Sequence, residues 1–255
     1  MKYLVYILLA LSLLINAGCN NQESTEEHEL FISAASSLSD VLSKLGDAFE
    51  SEHPNTTLTL NYGASGKLAQ QIQQGAPVDL FLSADQKWMD NLSEQKMILR
   101  NTRANFTQNK LVLVSTDNAN TPINNLTELS TSGLDQIALG NPESVPAGSY
   151  AKEVLTASGI WNDIKNKLVY AKDVRQVLTY VESGNTDIGF VYASDLKRSK
   201  LVTEVTKIDE SLYGPINYPA AVMASSDTKE KAKAFIKFLQ SDEAQSILAE
   251  YGFGS

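Results

Sequence analysis

Leu30-Phe31-Ile32-Ser33-Ala34-Ala35-Ser36-Ser37-Leu38-Ser39-Asp40-Val41-Leu42 is the stretch that decides how this chain reads. Its first three residues make a short strand candidate. Small and hydroxyl residues follow, and then Leu38, Val41, Leu42, Leu45 and Phe49 recur at helical spacing. Ser37 with Asp40 has the S-x-x-D form of a capping box. A strand that stops at small residues and opens into a helix gathers unpaired backbone N–H groups and the positive end of a dipole at one point. Such a point is a ready anion site.

Outward from that stretch the same switch recurs four times, at Gly63-Ala64-Ser65-Gly66, Pro146-Ala147-Gly148-Ser149, Lys172-Asp173-Val174 and Val191-Tyr192-Ala193-Ser194. Strands are predicted at Thr57–Tyr62, Val78–Leu82, Leu111–Val114, Ile137–Leu139, Leu168–Tyr170 and Ile188–Val191. Helical patterns cover Leu68–Ile72, Asp85–Leu92, Ser149–Ala157, Val174–Val181, Thr228–Leu239 and Asp242–Tyr251. Thr121-Pro122-Ile123 reads as a loop before a short helix at Leu126–Leu129. Strands alternate with helices, so the class is α/β with mainly parallel pairing. Ligands in such sheets sit at the carboxyl ends of strands, where all five junctions lie. No repeat, low-complexity segment or Pro/Gly-rich linker marks a boundary.

The first residues read as a leader. Lys2 precedes a nearly unbroken apolar run from Tyr3 to Ile15, shorter than a comfortable membrane span. Ala17-Gly18-Cys19 closes it, with small residues directly before the only cysteine, in the manner of a lipoprotein signal. Asn16 departs from the Leu-like residue usual three positions before such a cysteine, and export as an ordinary secreted protein is the alternative. Residues 1–18 are thus expected to be a signal peptide and Cys19 a lipidated N-terminus. Residues 19–29, with the acidic run Glu23–Glu29, are expected to be a solvated tether. One cysteine leaves no partner for an internal disulfide, so packing must hold the fold. The net charge of −9 and the lack of a basic stripe argue against nucleic acid.

Catalytic chemistry finds few candidates. The two histidines, His28 in the tether and His53 before Pro54, do not sit at strand ends, and no G-x-S-x-G elbow is present. The junction serines read as helix caps or as ligand donors, and both readings stand. One cysteine and two such histidines cannot make a zinc cluster, and no loop has calcium-site spacing. Gly63-Ala64-Ser65-Gly66-Lys67 lacks the spacer of a phosphate loop, and Leu68 replaces its Ser or Thr. Trp88, Met89 and Trp161 read as packing residues. Tyr192 reads either as a core residue or as a phenol aimed into a cleft.

Taken in order, several segments resemble the molybdate-binding proteins of ABC transporters. Ala34-Ala35-Ser36-Ser37-Leu38 is similar to that family's N-terminal motif, and Gly75-Ala76-Pro77-Val78-Asp79-Leu80-Phe81-Leu82-Ser83-Ala84-Asp85 to its long signature. Val145-Pro146-Ala147-Gly148, Tyr150-Ala151-Lys152, Asp173-Val174-Arg175 and Gly189–Asp195 continue the likeness. Glu243-Ala244-Gln245 and Tyr251-Gly252-Phe253 complete it. The resemblance implies a two-lobed type II periplasmic-binding-protein fold with a ligand cleft. Lobe one would span 30–107 and 219–255, and lobe two 108–218. It further implies that Ser37, Ser65, Ala147, Val174 and Tyr192 hold an oxyanion. Molybdenum would be bound only within that anion, with no cofactor and no catalysis. Expected partners are molybdate or tungstate, the permease and ATPase of an ABC importer, and a membrane through Cys19. The protein itself would be a monomer outside the cytoplasm. Sulfate or phosphate is the alternative ligand. An iron-type site would need adjacent tyrosines, and an esterase would need a histidine beside Ser37 or Ser65.

Overall fold

A computed structural model describes residues 28–116, 123, 125–206 and 208–254 of the 255-residue chain. The leader 1–18, Cys19, most of the 19–29 tether and the Thr121-Pro122 part of the predicted loop lie outside these residues. In chain order the first half contains β1 (His28–Ala35), α1 (Ser39–Glu52), β2 (Thr56–Gly63), α2 (Ser65–Gln73), β3 (Leu80–Leu82), α3 (Gln86–Glu94) and β4 (Ala104–Asn109). Next come β5 (Leu111–Thr116), β6 (Ile137–Gly140), α4 (Pro146–Ala157), α5 (Trp161–Ile164), β7 (Leu168–Ala171), α6 (Val174–Glu182), β8 (Ile188–Tyr192), α7 (Ala193–Arg198) and β9 (Val202–Thr206). The chain then finishes with β10 (Ile216–Val222), α8 (Lys229–Leu239) and α9 (Asp242–Glu250).

The strands form two five-stranded sheets, ordered β2-β1-β3-β10-β4 and β7-β6-β8-β5-β9. In the first, β1 runs parallel to β2 and β3, while β10 runs antiparallel to β3 and β4. In the second, β6 runs parallel to β7 and β8, while β5 runs antiparallel to β8 and β9. Each sheet is therefore half parallel, and the antiparallel half comes from the strands nearest the crossings between lobes. The chain leaves the first sheet at Lys110 and returns to it at β10.

The expected strands and helices form, most of them a residue or two longer than the pattern predicts. β4, β9 and β10 were not read as strands. Pro219 interrupts β10 at a register shift, which is where a strand tolerates proline. α1 buries Val41, Leu42, Leu45 and Phe49, the face that its spacing predicted. Phe49 meets Phe235 edge-on and Phe238 at a tilt, so α8 closes over α1. Met89 is buried under α3, whereas Trp88 is half-buried and packs beside Gly66.

Two glycines set the spacing around the cleft. A Cβ at Gly148 would lie 1.8 Å from the Gly140 carbonyl oxygen, so α4 begins directly on the end of β6. A Cβ at Gly66 would lie 2.7 Å from the Ser144 carbonyl oxygen, which belongs to the other lobe. The Gly66 N–H donates to that same oxygen at 3.0 Å.

Candidate ligand-binding site

Ser37, Ser65, Ala147, Val174 and Tyr192 all line one small cavity between the lobes. The cavity has a volume of about 10 Å³, about that of one water-sized sphere. Pockets for organic ligands run to roughly 300–1,000 Å³. None of the residues lining the cavity carries a formal charge.

Two donors come from hydroxyls whose lone pairs are already engaged. Ser37 lies in a 3-10 turn, Ser36–Leu38, that follows β1. The expected capping box does not form: α1 starts at Ser39 and has no side-chain cap. Asp40 faces Arg175 and Arg198 instead. The Ser37 Oγ lies 2.9 Å from the Tyr218 hydroxyl. Asn109 Nδ2 donates to that same Tyr218 oxygen at 3.4 Å. Tyr218 can thus give its proton to Ser37, and Ser37 keeps its own proton for the cavity. Ser65 opens α2, and its Oγ accepts the Ala84 N–H at 3.0 Å, which again leaves the hydroxyl proton to donate. Neither serine caps its own helix through its side chain.

Two further donors are backbone groups. Pro146 occupies the start of α4 and Ala147 follows it, so the Ala147 N–H has no acceptor within the helix. Val174 is the first residue of α6. The preceding Asp173 caps that helix by accepting the Gln176 N–H at 2.9 Å, and leaves the Val174 N–H unused.

Tyr192 ends β8. Its backbone N–H donates to Asp195 Oδ2 at 3.1 Å. Its phenol oxygen is buried and has no hydrogen-bond partner among the described residues. A buried polar group without a partner is uncommon and calls for a reason. Burial holds the pKa of both Tyr192 and Tyr218 well above that of a free phenol, so both stay protonated donors.

Acidic groups stand just outside the cage. Asp85 caps α3 by accepting the Trp88 N–H, yet burial pushes its pKa up to about 6. Asp195 is fully buried and is likewise raised to about 6, against the lowering effect of Arg175. His53 stacks on Phe49 with ring centroids 4.0 Å apart, and so is engaged in packing.

Sequence reasoning missed Tyr218 and Asn109. Both lie on strands of the first sheet, with no helix start beside them, and no local pattern singles them out. The pairing of β10 with β3, and of β3 with β1, brings Tyr218 to Ser37, and the pairing of β4 with β10 adds Asn109.

Comparison with known proteins follows the same lines. The model of the bacterial extracellular solute-binding protein family matches residues 30–254. A Bacillus subtilis protein, provisionally named the ABC transporter substrate-binding lipoprotein YvgL, is 41% identical over 256 residues, covering 99% of this chain and 98% of its own. The molybdate-binding protein ModA of Escherichia coli is 37% identical over 234 residues, covering 89% and 90%. The solved structure of the Azotobacter vinelandii periplasmic molybdate-binding protein superposes with a TM-score of 0.79 at 26% identity. That match covers 88% of this chain and 98% of the other.

Proposed function

This chain belongs to the bacterial extracellular solute-binding proteins and, among them, to the molybdate-binding family of ABC transporters, and from that premise we propose that it captures molybdate and delivers it for uptake. It is a binding protein and not an enzyme. Tungstate, with the same shape and charge, is the second ligand. The recipient is the permease and ATPase of an ABC importer. The anchor is a lipid on Cys19, a reading supported by the apolar leader and by the lipoprotein name of the Bacillus relative.

The observation that carries this reading is the unpartnered, buried Tyr192 hydroxyl, facing the same small cavity as two serines and two helix starts. The five residues Ser37, Ser65, Ala147, Val174 and Tyr192 supply donors and no carboxylate. A fully deprotonated tetrahedral anion needs donors only, and prearranged neutral dipoles can hold it away from water. A monoprotonated phosphate would bring an O–H that asks for an acceptor, which disfavours it here. Sulfate has no proton and must be distinguished by size.

Titration calorimetry with molybdate, tungstate, sulfate and phosphate tests the proposal. Saturable binding of molybdate, with sulfate weaker and phosphate silent, is the expected result. No heat with molybdate, or tighter binding of sulfate, overturns it.

A further inference from the structure

Arg175 stands next to Val174 at the start of α6, in lobe two, and its side chain crosses to lobe one. Its Nε donates to the Ser36 carbonyl at 3.2 Å and its Nη2 to the Ser37 carbonyl at 3.1 Å. Nη2 also lies 3.0 Å from Asp40 Oδ2 on the first turn of α1. Nε lies 3.3 Å from Asp195 Oδ1. The other oxygen of Asp195 holds the Tyr192 N–H. One guanidinium therefore touches the turn that carries Ser37 and the carboxylate that fixes the helix start at Tyr192, and its own backbone adjoins Val174. Three of the five cage positions, drawn from both lobes, meet at this side chain.

The surroundings make that contact costly to lose. Arg175 is 18% exposed and Asp195 is fully buried. An arginine in this position leaves the two carboxylates compensated, while removal would leave Asp195 without its nearest cation. The planar guanidinium gives hydrogen bonds to two carbonyls while its charge faces the two carboxylates as ion pairs, and a lysine ammonium cannot reproduce that geometry. Arg198 pairs with Asp40 as well, so the lobe-one acceptor is shared by two arginines of lobe two. The bonds from Gly66 N–H to the Ser144 carbonyl and from Asn109 Nδ2 to Ser194 Oγ add uncharged contacts between the lobes.

We propose that Arg175 is a positioning residue that couples closure of the lobes to assembly of the anion cage, by fastening the Ser36–Ser37 turn and the Tyr192 helix start to each other. It does not touch the ligand. It sets how long the closed, loaded state lasts. The ligand named in the test rests on the molybdate reading above, while the closure itself does not.

The test uses the exported chain with Cys19→Ser and spin labels at Gln71→Cys on α2 and Glu153→Cys on α4, which are exposed positions on opposite lobes. Pulsed electron–electron resonance reads the distance between labels, and stopped-flow tryptophan fluorescence reads the rates. With molybdate, the unmodified latch should hold the closed separation. Arg175→Gln should lose much of that population and release molybdate about 10–100-fold faster, with the association rate changed by less than about threefold, as expected for lost charged hydrogen bonds. Arg175→Lys should restore only part of the residence time. Asp40→Asn, which leaves the carbonyl contacts in place, should speed release less, and its effect should not add to that of Arg175→Gln. Equal release rates and equal closed populations in the Arg175→Gln and parent proteins overturn the latch while leaving molybdate binding intact. Should the parent protein bind no molybdate, the functional reading fails, and the latch is judged on the ligand-free distances. A closed population that falls with Arg175→Gln then supports it, and one that is absent or unchanged overturns it.

Discussion

Tyr192 shows what one residue can settle. Its phenol is buried without a partner, and burial keeps it protonated. Tyr192→Phe removes the donor and leaves the ring's packing in place. Each hydrogen bond to a charged group contributes about 1.5–3 kcal/mol, so molybdate affinity should fall roughly 10–100-fold on calorimetric titration. Thermal stability without ligand should stay level or rise, because an unsatisfied hydroxyl leaves the interior. An unchanged affinity would place Tyr192 outside the site. Sequence alone could not choose between core and cleft for this residue, since the end of an apolar strand reads the same in both cases. The serines were equally open between capping and donation. Tertiary partners take the place of helix capping for both hydroxyls, Tyr218 for Ser37 and the Ala84 N–H for Ser65.

At the scale of elements, local pattern places the helices that follow strand ends, though not always their caps. The Leu38-to-Phe49 spacing forms the predicted helix, and helices start at the Asp85 and Lys172-Asp173-Val174 positions, where the structure adds aspartate caps that the pattern did not specify. The missed strands share a cause. β9 and β4 are edge strands with mixed polarity, and β10 carries a proline, so none has the clean alternation that marks a strand. The S-x-x-D box failed because Asp40 has stronger partners in two arginines. The Asp85 cap carries its own consequence. Its carboxyl titrates near 6 in the fold and near 3.8 when free, so the folded protein binds the extra proton between those values. Stability from this group is present below about pH 4 and is lost as pH rises through 6. Asparagine caps helices as well as aspartate does. Asp85→Asn should therefore raise stability at pH 8, by up to about 3 kcal/mol for a two-unit shift, and leave it nearly unchanged at pH 4. Urea unfolding at the two pH values checks this, and an equal effect at both would refute it.

For the molecule as a whole, the two lobes touch around a cavity that holds only a small ligand. A ligand that bridges the lobes binds the folded protein and not the unfolded chain. Molybdate at 100 times its Kd should then add about 2.7 kcal/mol of stability, read as a rise in Tm that grows with the logarithm of concentration. Sulfate at the same concentration should give a smaller rise. The division into lobes was invisible in composition, because no linker marks it. It follows from sheet order, in which β4 and β10 enclose everything between them.

That sheet order also dictates a sequence of events in time. Among the described residues β4 pairs only with β10, and Asn109 meets Tyr218 across 109 residues of chain. A polypeptide emerging N-terminus first holds β3 with a bare edge until β10 arrives at Ile216, while the second sheet has all of its strands by Thr206. The inserted lobe can thus complete itself first, and the lobe bearing Ser37 and Ser65 must wait. Contacts between such distant segments form slowly. A chain built this way completes its ligand cavity only once β10 is present, because Ser37 and Tyr218 meet across 181 residues of chain.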